Sequence, residues 1–274
     1  MANYTLNAAI KGVIEGITEF LPISSTGHLA LFDKLLPLTD SLDPVEQNRL
    51  NHLFDIIIQF PAILAIVVLY RVRVFGSLAS VAKDQRSRSF WFGLCVAFIP
   101  VGIAGLTLHH YTEKWQEDPR IIAAALIVGG IGLILIEKLA TNLKATQSED
   151  VPLSAAINIG LFQCLSLWPG FSRSGSCMMG GRIMGLSREV AAEYSFFLAI
   201  PTMFAAFVYK FAKEFKNIKW ETDGPILAVG SLVSFVVALA AVAILIKFLQ
   251  KHSLAWFGGY RILLGLAVLL WGTH

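Results

Sequence analysis

Charged side chains are scarce. Aspartate, glutamate, lysine and arginine make up 15% of the 274 residues, against 55% hydrophobic. A soluble domain carries roughly a quarter charged residues, so much of this surface is not built to face water. The formal net charge is only +3, which excludes nucleic acid as a partner, because a polyanion is held by a dense basic face. Cysteine is scarce too. Cys95, Cys164 and Cys177 all lie in apolar stretches at no metal-ligand spacing, which excludes a disulfide framework and a zinc site. The opening residues, MANYTLNAAI, lack the basic start and small-residue cleavage pattern of a signal peptide. Membrane insertion is therefore expected to rest on internal segments of one compact domain spanning 1–274.

Long apolar runs dominate what is present. Six segments, approximately 53–70, 91–108, 121–137, 190–209, 225–246 and 256–272, are apolar enough to span about 30 Å of hydrocarbon. Hydrogen bonding in lipid makes each a helix. Two further apolar stretches, 6–36 and 155–186, are broken by Leu21-Pro22-Ile23-Ser24-Ser25-Thr26-Gly27-His28 and by Trp168-Pro169-Gly170-Phe171-Ser172-Arg173-Ser174-Gly175. Irregular backbone is tolerated at membrane depth only against protein or a wet cavity. Both stretches are therefore expected to be re-entrant helix–loop–helix hairpins. The expected fold class is an all-α polytopic membrane protein with six transmembrane helices plus these two hairpins.

A shift of 148 residues places Gly12 on Gly160, Glu15 on Gln163, Phe20 on Trp168 and Ser24-Ser25-Thr26-Gly27 on Ser172-Arg173-Ser174-Gly175. A hairpin followed by three spans in each half makes the halves, approximately 1–150 and 151–274, an inverted-topology repeat. Paired broken helices in such halves mark a binding site near the midplane. Arg71, Arg73, Lys83, Arg86 and Arg88 against Asp84 alone place 71–89 on the cytoplasmic side, with 137–154 and 247–255. Trp91, Trp115, Trp220, Trp256 and Trp271 lie near the span boundaries as an aromatic belt would, and His109 and His110 are expected at an interface.

The polar residues inside these apolar stretches are the candidates for chemistry. Glu15 and Glu19, four apart, share one helix face. Two acids so placed in a membrane need a proton or a cation, and Mg²⁺ or Ca²⁺ suits oxygen ligands. A plainer reading pairs Glu15 with Lys11, one turn earlier. Ser24, Ser25, Thr26 and His28 follow at a helix break, where backbone N–H groups and hydroxyls can bind phosphate. Either Ser25 attacks phosphorus with His28 as base, or His28 attacks with Glu19 orienting its ring. The alternative is a polar turn with His28 as a cap. Arg173, between Ser172 and Ser174 in the matching loop, carries a guanidinium whose fork matches phosphate oxygens. Its alternative partner is Glu15 or Glu19, and that ion pair would itself bring the two loops together. Arg261 is either a second phosphate ligand or a side chain reaching the cytoplasmic face. Asp55, Gln59 and Glu193 are read as helix-packing residues.

The run from Glu15 to His28, with Pro169-Gly170-Phe171-Ser172-Arg173-Ser174, resembles the undecaprenyl-diphosphate phosphatase family, also called bacitracin-resistance proteins, over essentially the whole chain. The family's glutamate motif matches Glu15 and Glu19, its serine–histidine loop matches Ser25, Thr26 and His28, and its tyrosine–arginine pair is similar to Tyr260-Arg261. Its second motif, P-G-x-S-R-S-x-x-T, departs at Cys177, so a hydroxyl there is not carried over. The resemblance implies hydrolysis of undecaprenyl diphosphate to the monophosphate and inorganic phosphate. It also implies a divalent cation, a periplasmic-facing site in the bacterial inner membrane, and a homodimer among membrane lipids. The rival reading from the residues alone is a lipid-phosphate carrier using the same inverted-repeat cavity; a non-catalytic lipid scaffold would leave Glu15 and Glu19 without a role.

Overall fold

The computed structural model describes residues 2–33, 35–41, 43–116, 118–140 and 147–271, with backbone alone for residues 2, 3, 109, 113 and 271. The side chains of His109 and Trp271 and part of the 137–154 connection therefore lie outside the described residues. Every regular element among the described residues is helical, as expected for an all-α membrane protein. In chain order the helices are α1 (Ala2–Thr18), α2 (Ser25–Phe32), α3 (Pro44–Leu69), α4 (Arg71–Ser80), α5 (Gln85–Gln116) and α6 (Pro119–Leu139). They continue as α7 (Leu153–Gln163), α8 (Arg173–Ile183), α9 (Arg188–Glu214), α10 (Trp220–Leu249) and α11 (Ala255–Trp271).

Five helices, α3, α5, α6, α9 and α10, contain stretches long and apolar enough to cross a membrane. The sixth expected span is α11, a helix of 17 residues; at 1.5 Å per residue it covers about 25 Å, just short of the hydrocarbon thickness. The starts of these helices are written locally. Asp43 and Asp118 accept the first free N–H groups of α3 and α6, each followed by proline in the first turn. Both broken stretches form a helix, a turn and a second helix packed on the first: α1 with α2, and α7 with α8.

The two halves interlock. α1 lies along α10, α7 lies along α5, α3 meets α9, and α6 meets α11. Lipid gives helices no hydrophobic incentive to associate, so close contact depends on small residues that let backbones approach. A Cβ on Gly12 or Gly16 of α1 would stand 2.6 Å from the Gly230 carbonyl or 2.7 Å from that of Ser234 in α10. On α7, a Cβ at Gly160 would meet the Ala97 carbonyl of α5 at 2.4 Å. The α6–α11 crossing is reciprocal, with Gly130 facing the Gly258 carbonyl and Gly258 facing that of Gly130, each at 2.6 Å. Backbone cannot swing aside as a side chain can, so Gly130→Ala is expected to cost about 1–3 kcal/mol and to lower the thermal unfolding midpoint in detergent. An unchanged midpoint would mean that this crossing is not tight.

α4 presents Val72, Phe75 and Leu78 outward. Arg73 on its opposite side reaches Glu149 at 2.7 Å and Glu193 at 3.0 Å. An ion pair rather than helix packing thus occupies Glu193, and these contacts tie the basic 71–89 segment to the start of the second half.

Candidate active site

The site is built on two turns of one shape. Ser24 and Ser172 are the only non-glycine residues at positive φ among those described, at 72° and 75°. They are also the residues that the 148-residue shift superimposes. L-residues rarely enter this region, and strain of this kind persists only where surrounding contacts over-determine it. Each serine hydroxyl caps the helix that follows: Ser24 Oγ accepts from the Gly27 N–H at 3.3 Å, and Ser172 Oγ from the Gly175 N–H at 3.1 Å. Each serine carbonyl is held by the side chain four residues on. His28 Nδ1 lies 2.7 Å from the Ser24 carbonyl, and Ser176 Oγ donates to the Ser172 carbonyl at 2.8 Å. Gly170, at φ 92°, has no room for a side chain, because a Cβ would lie 2.5 Å from the Ile122 carbonyl.

The turns meet. Ser174 Oγ donates to the Leu21 carbonyl at 2.8 Å. Arg173 Nη2 pairs with Glu19 Oε1 at 3.2 Å, and its Nη1 donates to the Ser195 carbonyl at 2.9 Å and hydroxyl at 3.2 Å. The guanidinium also lies over the Phe20 ring, 5.6 Å from its centre. Arg173 Nε meets no protein acceptor. The second oxygen of Glu19, Oε2, accepts the Ser25 hydroxyl at 2.8 Å. One buried carboxylate thus joins a hydroxyl from the first turn to a guanidinium from the second. Arg173's protein partner is Glu19 rather than Glu15, and the pairing brings the loops together.

A cavity of about 410 Å³ opens over this cluster. Glu19, Ser24, Ser25, Thr26, Ser172 and Arg173 line one region of it, while Phe98, Val101, Leu106, Leu167 and Met203 supply apolar wall. Glu15, His28, Ser174 and Arg261 do not line it. Arg261 is fully buried and does not reach a membrane face. Its Nη2 donates to the carbonyls of Ala125 and Gly170 at 3.2 and 3.1 Å. That places it behind the second turn, in space left by Gly129, where a Cβ would be 2.1 Å from the guanidinium. His28 Nε2 lies 2.7 Å from the Tyr260 hydroxyl. Cys177 Sγ is buried against Gln163 Oε1 at 3.2 Å, where a hydroxyl would make the same kind of contact.

Lys11 is not the partner of Glu15. Its ammonium meets Asp33 at 2.8 Å and Asn51 at 2.9 Å. Glu15 is completely buried with no hydrogen-bond partner on either oxygen, and its charged neighbours are Glu19 and Asp55. Two donor-free carboxylate oxygens beside a second acid suit a cation. The described residues offer no group of three metal-ligating side chains; Glu15 and Glu19 are the carboxylates that would hold a cation, and of these only Glu19 lines the cavity.

Sequence reasoning missed three participants. Ser195 anchors Arg173, yet nothing in an ordinary α9 segment marks it. Tyr260 was matched to a family pair without a task of its own. Gln59, set aside as a packing residue, lines the cavity, and its polarity within an apolar span was the available signal.

Residues 8–267 match the family described as Bacitracin resistance protein BacA. The chain is 43% identical over 268 residues to an undecaprenyl-diphosphatase of Ectopseudomonas mendocina (strain ymp), covering 97% of this chain and 94% of that protein. It is 40% identical to an undecaprenyl-diphosphatase of Thermoanaerobacter sp. (strain X514), covering 97% and 96%. It is 37% identical to undecaprenyl-diphosphatase 1 of Mesorhizobium japonicum, covering 97% and 98%. With both turns, their meeting point and the spans around them inside the matched region, this multi-pass membrane protein belongs to the bacitracin resistance protein BacA family.

Proposed function

We propose that the protein is an undecaprenyl-diphosphatase. It hydrolyses undecaprenyl diphosphate to undecaprenyl phosphate and inorganic phosphate, and so returns the lipid carrier to peptidoglycan synthesis. The observation that carries this reading is the Ser25–Glu19–Arg173 cluster at an apolar-walled cavity. A carrier needs a cation for the lipid phosphate but no hydroxyl poised on a carboxylate.

The prenyl chain lies along the apolar wall and the diphosphate between the two turns. Arg173, Ser24, Thr26 and Ser172 line the region that receives the terminal phosphate, and the guanidinium supplies positive charge there. Ser25 Oγ attacks the terminal phosphorus as Glu19 Oε2 takes its proton. The bond from that phosphorus to the bridging oxygen breaks, and undecaprenyl phosphate leaves with the electron pair and takes the proton from Glu19, which is then a carboxylate again. Water then attacks the phosphoserine, giving a proton to Glu19. Inorganic phosphate departs and Ser25 regains its proton. Such transfers depend on positioning and charge neutralisation. Glu15 and Glu19 would hold a divalent cation, which would supply further neutralisation of phosphate charge. The sequence left Ser25 and His28 as rival nucleophiles; Glu19 at 2.8 Å from Ser25 Oγ favours Ser25, with Glu19 rather than His28 as its base.

The same reading makes α1–α2 and α7–α8 re-entrant hairpins of inverted repeats in the inner membrane. The cavity then opens to the periplasm, and two copies associate as a homodimer. The test is phosphate release from a polyprenyl diphosphate by purified protein. Equimolar monophosphate and inorganic phosphate are expected, with turnover lost to a chelator and restored by Mg²⁺ or Ca²⁺. Movement of lipid phosphate between leaflets without any release would favour the carrier.

A further inference from the structure

His28 does not line the cavity, and both its ring nitrogens are occupied. A carbonyl oxygen only accepts, so Nδ1, 2.7 Å from the Ser24 carbonyl, is the nitrogen that carries the proton. Nε2 is then the acceptor, and it takes the Tyr260 hydroxyl at 2.7 Å. The two rings lie nearly parallel, 9° apart with centres 5.6 Å apart. An imidazole so engaged has no free lone pair with which to attack phosphorus or to accept the Ser25 proton.

The second turn supplies an independent observation. Ser176 occupies the place of His28 under the 148-residue shift, and its hydroxyl performs the same task. It donates to the carbonyl of the positive-φ serine four residues earlier, at 2.8 Å. The main chain helps unequally: Ser176 N–H reaches the Ser172 carbonyl at 3.0 Å, while His28 N–H reaches that of Ser24 at 3.4 Å. The first turn, with the longer main-chain bond, depends more on its side-chain tie.

The geometry points to His28 and Tyr260 as a pair of positioning residues. The Tyr260 hydroxyl holds the imidazole in its Nδ1–H form. That N–H holds the Ser24 carbonyl, and the turn so fixed presents the Ser25 hydroxyl to Glu19. This inference rests on the phosphatase reading with Ser25 as nucleophile, and it removes His28 from the chemical step.

Two amides separate this role from a base or nucleophile. In His28→Asn the side-chain N–H sits where Nδ1 does and can still bond the Ser24 carbonyl; in His28→Gln it sits nearer the position of Nε2. Loss of a general base lowers turnover by about 10²–10⁴-fold whichever amide replaces it. The positioning role predicts that His28→Asn keeps kcat within about tenfold of wild type while His28→Gln and His28→Ala fall about 100-fold. His28→Ser, which copies the second turn, is expected to rank with His28→Asn. A second measurement needs no turnover. Nitrogen-15 spectra of histidine-labelled protein, with the His28 signal assigned by its loss in His28→Asn, should show a protonated Nδ1 and an unprotonated, hydrogen-bonded Nε2. Tyr260→Phe should shift the Nε2 resonance and lower kcat.

Equal loss in His28→Asn and His28→Gln, a protonated Nε2 in the wild type, or acid-labile phosphohistidine at His28 in quenched turnover would each overturn the inference. Absence of phosphate release by wild-type protein would instead defeat the phosphatase reading, and the spectrum would still decide the His28–Tyr260 arrangement.

Discussion

Ser25→Ala is expected to lower phosphate release by about 10⁴-fold or more, the scale seen when a nucleophile of a hydrolase is deleted. The reason is local. Ser25 Oγ is the hydroxyl that lines the cavity and rests 2.8 Å from a carboxylate oxygen. The neighbouring hydroxyls lack that carboxylate: Ser24 accepts from the Gly27 N–H, Ser174 donates to the Leu21 carbonyl, and Ser25 is the hydroxyl of the two turns that donates to Glu19. Acid quenching of the wild type during turnover should trap phosphate on Ser25 as an acid-stable ester, and Ser25→Ala should trap none. Glu19→Gln should retain the ester but form it about 10²–10⁴-fold more slowly, because only the base is lost. Residual turnover of Ser25→Ala within tenfold of wild type would remove the covalent route and leave water attacking directly with Glu19 as its base.

Arg173→Lys is the second large effect, expected at about 10²–10³-fold in kcat/KM, with Arg173→Ala reaching about 10³–10⁵-fold. Charge alone is not what Arg173 supplies. Nη1 is anchored on Ser195 and Nη2 on Glu19, which fixes the plane of the guanidinium at the cavity wall. A lysine ammonium has three donors on one atom and cannot reach all of these places. Arg173→Ala also strands Glu19, and breaking a buried ion pair from one side costs about 3–5 kcal/mol of stability. Its unfolding midpoint should therefore fall well below that of Arg173→Lys. Assay and midpoint together separate the two contributions. A lysine variant with wild-type kcat/KM would show that a point charge suffices.

Much of this arrangement was legible in the chain before any coordinates. Polar residues inside apolar runs are expensive, so Glu15, Glu19 and Arg173 announced themselves, and the shift of 148 residues brought the two turns into register. Helix breaks at Pro22 and Pro169-Gly170 marked the turns, because neither residue type continues a helix in lipid without a compensating partner. What stayed hidden was directional. Spacing places Glu19 and Ser25 in one neighbourhood but does not say that Oε2 faces Oγ. Arg261 looked like a ligand or a surface-seeking side chain because sequence does not reveal that Gly129 leaves a socket for its guanidinium. The partner of Lys11 was likewise out of reach, since Asp33 and Asn51 lie 22 and 40 positions away. His28 drew a catalytic reading because of its usual pKa, whereas its placement was decided by a tyrosine more than two hundred residues downstream.

Ser25 and Arg173 stand at the same place in two turns of the same shape, each one residue past the strained serine. Two identical loops facing each other would offer either two nucleophiles with no cation or two cations with nothing to attack. The chemistry thus requires the copies to differ at that one place, and a single polypeptide carrying both is free to let each diverge. It follows that exchanging residues 25 and 173 should preserve the inventory of side chains but send the nucleophile to the turn that lacks a carboxylate, because Leu167 stands where Glu19 does in the other copy.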